Sequence, residues 1–174
     1  MRFAKLFCLG VIVLSVLSCV ALAVVRSVGL TRITVTALDE KAEPRDLGIP
    51  FVDQEKALPD YRVTVKTSSG SKVDLGVKLN TSGVDGLQWQ LPSPISTADV
   101  ASVRLDDEDT VVSDAIVEVQ FADDPVTSGN YRFEFETQRS FGVGVQSFFK
   151  TPIGIAIAGA FAIAVFILVF SLLA

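Results

Sequence analysis

Two long apolar runs enclose a middle stretch in which apolar and polar residues alternate, and this pattern sets the organisation of the 174-residue chain. The first run, residues 6–25, follows Arg2 and Lys5 and is interrupted only by Gly10, Ser15, Ser18, Cys8 and Cys19. Its length is close to the roughly 20 residues a helix needs to cross the hydrocarbon core of a bilayer, which predicts a signal anchor. Ala21-Leu22-Ala23 also fits the small-x-small pattern of a cleavage site, so a cleaved secretory signal peptide is the rival reading. Val16-Leu17-Ser18-Cys19 resembles a bacterial lipoprotein box, although apolar residues 20–25 make a poor start for a lipidated chain.

The second run, residues 152–174, contains no charge. It predicts a transmembrane helix, because in hydrocarbon a helix satisfies its own backbone hydrogen bonds. Gly154, Ala158, Gly159 and Ala162 approximate a small-x-x-x-small spacing, a candidate contact face for homo- or hetero-oligomers.

Between the runs the period is two. Ile33, Val35 and Ala37 alternate with Thr34 and Thr36, and Tyr61, Val63 and Val65 alternate with Arg62 and Thr64. The pattern returns in Val73-Leu75-Val77-Leu79, Leu87-Trp89-Leu91, Val117-Val119-Phe121 and Tyr131-Phe133-Phe135. Strands with one apolar face each predict an all-β domain, an antiparallel β-sandwich of seven to eight strands. Residues 68–71, 82–86 and 127–130 are rich in Ser, Gly, Asn and Asp and read as turns. A longer, charged connection holding Pro44, Pro50 and Pro59 spans residues 39–60, and loops of that length tend to be functional or mobile. Trp89 falls in an alternating strand and is expected in the core. Asn80-Thr81-Ser82 is a formal glycosylation sequon in a turn. The expected division is residues 1–26 signal anchor or signal peptide, 27–140 sandwich, 141–151 linker and 152–174 transmembrane helix. In 141–149, FGVGVQSFF, the aromatics suit a membrane interface, with a plain linker the simpler expectation.

Charge sharpens the picture. All 20 acidic residues lie within residues 28–149, whereas Arg2, Lys5, Arg26 and Lys150 fall outside, so the middle carries 11 basic residues and a net charge of −9. Such a surface repels phosphate backbones, which argues against nucleic-acid binding and favours cations or basic partners. The two cysteines sit in the first apolar run, leaving the middle without a disulfide or thiolate site, and there is no histidine to serve as general base or zinc ligand. The expectation is therefore a non-enzymatic protein. Basic residues at the N-terminal end favour a cytoplasmic N-terminus, and either fate of the first run then puts the middle domain outside the cytoplasm, whether periplasmic, extracellular or lumenal.

The stretch richest in candidate chemistry is Val103-Arg104-Leu105-Asp106-Asp107-Glu108-Asp109-Thr110-Val111-Val112-Ser113-Asp114. In an extended chain Asp107 and Asp109 point the same way, and a turn can return Asp114 beside them; hard oxygen ligands gathered in this manner suit calcium. The plainer alternative is that residues 106–109 form a solvated acidic loop. The Asp-x-Asp at 107–109, followed by Asp114 and an apolar strand, resembles the C-two domain family, calcium-dependent lipid-binding sandwiches. Asp60-Tyr61-Arg62-Val63 and Leu87-Gln88-Trp89 stand where that family has comparable strands. The resemblance implies calcium held by Asp60 and Asp53 together with Asp107, Asp109 and Asp114. The first loop departs from the family's spacing of paired aspartates. The expected function is a membrane-anchored binding module, possessing a calcium site by that resemblance and recognising a protein, an envelope component or a membrane; the alternative is a structural subunit of a larger membrane complex.

Overall fold

A computed structural model describes residues 2–44, 58–108 and 113–173. The chain divides into two compact units, one formed by Met1–Gly29 with Arg139–Ala174 and the other by Leu30–Gln138.

The described strands number eight: β1 (Val28–Ala37), β2 (Tyr61–Thr67), β3 (Lys72–Lys78), β4 (Leu87–Ser96), β5 (Val100–Glu108), β6 (Ser113–Val119), β7 (Val126–Ser128) and β8 (Tyr131–Arg139). They form two four-stranded antiparallel sheets, ordered β4-β1-β8-β7 and β3-β2-β5-β6. Period-two alternation turns one face of each sheet inward. Leu30, Ile33, Val35, Trp89, Leu91, Tyr131 and Phe133 from the first sheet join Tyr61, Val63, Val65, Val103, Leu105 and Val119 from the second in one buried cluster. The result is β-sandwich-like, and Trp89 lies in its core as expected, with its Nε1 donating to the Gly76 carbonyl at 3.1 Å.

Strand β3 departs from simple alternation. Val73, Leu75, Val77 and Leu79 were expected on a single apolar face, but β3 pairs with β2 through a register shift between Arg62 and Thr64. Gly76 sits at that irregularity with φ +90°, a conformation side-chain-bearing residues rarely adopt. An extra residue reverses the parity of everything after it. Val73 pairs with inward Val65, whereas Val77 pairs with outward Arg62 and Lys78 with inward Tyr61. Lys78 then places its Nζ 5.5 Å from the Trp89 ring centroid, and Leu79 is left exposed.

The outward face of the second sheet carries ion pairs: Arg62 with Glu108 at 2.6 Å, Arg104 with Asp106 at 2.5 Å and Lys66 with Glu118 at 2.7 Å. The hydrogen bond from Lys66, helped by one from Ser102, holds the Glu118 carboxyl below the usual carboxylate range. On the other sheet, the edge strand β4 carries Pro92 and Pro94 and the opposite edge, β7, is three residues long, two features that discourage edge-to-edge pairing.

The other unit is helical: α1 (Arg2–Val25), α2 (Phe141–Lys150) and α3 (Pro152–Leu173). Within α1, Lys5–Val25 (21 residues), and the whole of α3 (22 residues) are long and apolar enough to cross a membrane. The segment expected as a linker is mostly the helix α2. It stops at Thr151 because the next residue, Pro152, has no N–H to continue the ladder and is instead suited to open α3. Thr151 Oγ1 donates to the Phe148 carbonyl at 2.8 Å and accepts from Gly154 N–H at 3.0 Å, so one hydroxyl closes α2 and caps α3.

Candidate functional site

Of the carboxylates singled out from the sequence, Asp60, Asp107 and Asp114 belong to one end of the strand unit, where β2 begins and β5 ends. Cross-strand partners share a face of the sheet. In the β2–β5 register Val65 opposes Val103, Val63 opposes Leu105 and Tyr61 opposes Asp107. Asp107 therefore continues the inward row and is 5% exposed, its Oδ1 accepting the Asp60 N–H at 2.9 Å.

Asp60 lies one residue before Tyr61. Its own carboxylate goes elsewhere, accepting the Asn80 N–H at 2.6 Å. Asp114 is opposite Asp107 in the β5–β6 register and is exposed. Asp53 and Asp109 lie outside the described residues. Among the described residues no three acidic, histidine or cysteine side chains gather as a metal-binding group. Residues 106–108 are also not the solvated loop considered above. They belong to β5; Asp106 is 6% exposed beside Arg104, and Glu108 pairs with Arg62.

What the structure assembles at this end was not visible as a motif. Glu43, 4% exposed, follows a short 3-10 turn at Glu40–Ala42. Its Oε1 accepts the Tyr61 hydroxyl at 3.0 Å and the Gly83 N–H at 2.5 Å, and its Oε2 accepts the Ser82 hydroxyl at 2.8 Å. The Tyr131 hydroxyl lies 3.0 Å from that of Tyr61. Each phenol has one proton. Tyr61 gives its proton to Glu43, so Tyr131 is the donor to Tyr61, and the bonds run in one direction from β8 through β2 to the carboxylate.

Burial is the main force on both phenols. It pushes Tyr61 well above the ordinary tyrosine range, reinforced by the bond it donates to Glu43 and by that carboxylate's negative field. It also raises Tyr131, aided by the negative fields of Glu43 and Asp107. Both rings stay protonated at neutral pH and act as donors.

The surrounding turns are drawn into the same assembly. Asn130 accepts the Asp39 N–H at 2.9 Å and donates to the Asp39 carbonyl at 2.7 Å, while Asn80 accepts the Leu58 N–H at 2.9 Å. Glu43 offered no periodic signal because it lies in an irregular connection. Tyr61 and Tyr131 did carry one, since they are the two tyrosines of the chain and each occupies the first inward position of its strand. Chemically this is a closed set of donors and acceptors, each engaged by another, which holds three connections in place.

A cleft of about 520 Å³ lies on the sheet containing β1, lined by Thr31, Arg32, Gln90, Pro92, Pro94 and Glu136. Arg32 and Glu136 form an ion pair of 3.0 Å across it.

The chain matches no protein-family model, and no curated protein is significantly similar to it. Nothing in these comparisons identifies a C-two domain.

Proposed function

We propose that this protein is a membrane-tethered, non-enzymatic binding module that presents its acidic strand domain outside the cytoplasm to a basic protein partner. The observation that carries the reading is the bracketing of one strand unit, along the chain, by two apolar helices of 21 and 22 residues. Basic Arg2 and Lys5 ahead of the first helix support a cytoplasmic N-terminus. The buried Glu43 network supports a binding role over catalysis, because it uses its polar groups to fix loops, the usual way a scaffold offers a defined surface. The net charge of −9 over residues 28–149 sets the sign of the partner.

The competing reading, a structural subunit of a membrane complex, draws support from the exposed apolar faces of both helices, including Leu6, Leu14, Ile155 and Phe166. Two measurements test the proposal, the first its orientation and the second its choice between these readings. With Cys8 and Cys19 replaced by Ala, Ser69→Cys should react with a membrane-impermeant thiol reagent in intact cells; labelling only after lysis would sink the external orientation. A partner that co-purifies at low salt and is released at high salt supports the binding module, whereas salt-resistant stoichiometric membrane partners support the subunit.

A further inference from the structure

We infer that the N-terminal helix is retained in the mature protein as the packing partner of α2 and α3, so that the chain is anchored by an antiparallel helical hairpin. The inference deepens the membrane-tethered reading and rests on it only for the bilayer. It decides among the three fates of residues 1–26 raised by the sequence: anchor, cleaved signal peptide or lipoprotein leader.

A cleavable leader has no reason to fit the chain that outlives it, yet α1 does fit. Cys8, Ser15 and Ala23 are buried, and Ile12 and Cys19 half-buried, at successive separations of three and four residues that form one stripe along the helix. Apart from Ile12 these side chains are small, which permits close approach between helices where lipid gives no hydrophobic drive. On α3, Gly154 and Ala164 are buried, Gly154 lying against the Phe148 carbonyl of α2, and half-buried Ala158 shares a cleft with Ser15 and Cys19 of α1. Of the small residues expected to form a contact face, Gly154 and Ala158 pack within the chain, while Gly159 has open space around it and Ala162 is exposed.

Contact with α2 is closer still. A Cβ added to Gly144 would overlap the Ala23 backbone, so glycine alone fits that crossing. Arg26 Nε donates to Ser147 Oγ at 2.6 Å, and the Ser140 N–H donates to the Ser27 carbonyl at 2.8 Å. Ser15 and Cys19 of α1, Phe148 of α2 and Ile157, Ala158 and Phe161 of α3 line a shared apolar cleft of about 240 Å³.

The processing signals fall inside this packing. Ala23, at 0% exposure, is the last residue of the Ala21-Leu22-Ala23 pattern and lies under Gly144. Cleavage there, or before Cys19, would remove Cys8 and Ser15 and leave the inward faces of α2 and α3 uncovered. Because α1 ends beside the start of α2, which feeds α3, the N- and C-terminal ends of the two long helices lie on the same side.

The test uses the full chain with a C-terminal tag, purified from membranes in detergent. Its intact mass should include α1; a chain starting after Ala23, or at a lipid-modified Cys19, overturns the inference. In a Cys8→Ser background carrying Ala158→Cys and a protease site in the turn at residues 68–71, oxidation in the membrane should join Cys19 to the introduced cysteine and keep the two fragments together after cleavage. Adding Gly144→Leu should reduce that cross-link several-fold. Fragments that separate fully without Gly144→Leu overturn the packing. Neither readout depends on which side of the membrane the strand unit occupies, so failure here is distinct from failure of the Ser69→Cys labelling.

Discussion

The hydroxyls of Tyr61 and Tyr131 meet at 3.0 Å although the two residues lie 70 positions apart and in different sheets. Their rings stand edge to face, with centroids 5.9 Å apart and an interplanar angle of 79°. An edge-to-face aromatic pair contributes roughly 0.5–1.5 kcal/mol beyond its buried area. The contact thus links the two sheets at their loop end, and Glu43 extends the link to the turn at Ser82 and Gly83.

The direction of the hydrogen bonds makes the two tyrosines unequal. Tyr61→Phe removes a donor to Glu43 and an acceptor for Tyr131, and should cost about 2–3 kcal/mol; Tyr131→Phe removes only the terminal donor and should cost about 1 kcal/mol. Denaturant unfolding of the full chain in detergent, followed by Trp89 fluorescence, measures both. The double variant should fall short of the sum, because the two positions share one bond.

Glu43→Ala leaves the Tyr61 hydroxyl, the Ser82 hydroxyl and the Gly83 N–H without their acceptor. At roughly 1–3 kcal/mol for each buried group left unsatisfied, discounted for the exposure of Ser82, the loss should be about 3–5 kcal/mol. Gly83→Ala should destabilise less, since its Cβ would stand 3.1 Å from Glu43 Oε1 and 3.2 Å from Ala37 Cβ. The same unfolding measurement ranks the two; equal costs would show that Glu43 is not the centre of the network.

Alkali should act through the same pair. Both folded phenols bind their protons more tightly than in the unfolded chain, where tyrosine titrates near pH 10. Their contribution is complete below about pH 10 and is lost as pH rises above it, because the unfolded state then releases protons that the folded state keeps. The limiting slope is about 1.4 kcal/mol per pH unit for each tyrosine. With two tyrosines in the chain, tyrosinate absorbance reports on these residues alone. It should rise together with unfolding, and either Phe variant should lower the steepness; tyrosinate formation near pH 10 in the folded protein would refute the buried arrangement.

Calcium should leave the unfolding midpoint of the full chain where chelator leaves it. Asp107 already accepts the Asp60 N–H and Asp60 the Asn80 N–H, and among the described residues no acidic trio gathers around them. A ligand that binds only the folded state raises the midpoint by mass action. A clear rise with millimolar calcium, abolished by Asp107→Asn or Asp114→Asn, would establish the site implied by the C-two resemblance.

Much of this architecture was legible in the sequence because it follows from local periodicity. Alternation at Ile33-Val35-Ala37, Tyr61-Val63-Val65 and Tyr131-Phe133 marked inward faces, and the uncharged runs marked both long helices. A strand's period and a helix's length are properties of neighbouring residues, so they need no knowledge of the rest of the chain. The tertiary structure decided what depends on distant pairing. The Gly76 bulge turned Val77 outward and Lys78 inward because register is fixed by the partner strand. Asp107 became an inward acceptor because it opposes Tyr61, and Glu43 acquired its donors from residues 18, 39 and 40 positions away. The fit of α1 against Gly144 likewise joins positions over 100 residues apart, a relationship that no local pattern records.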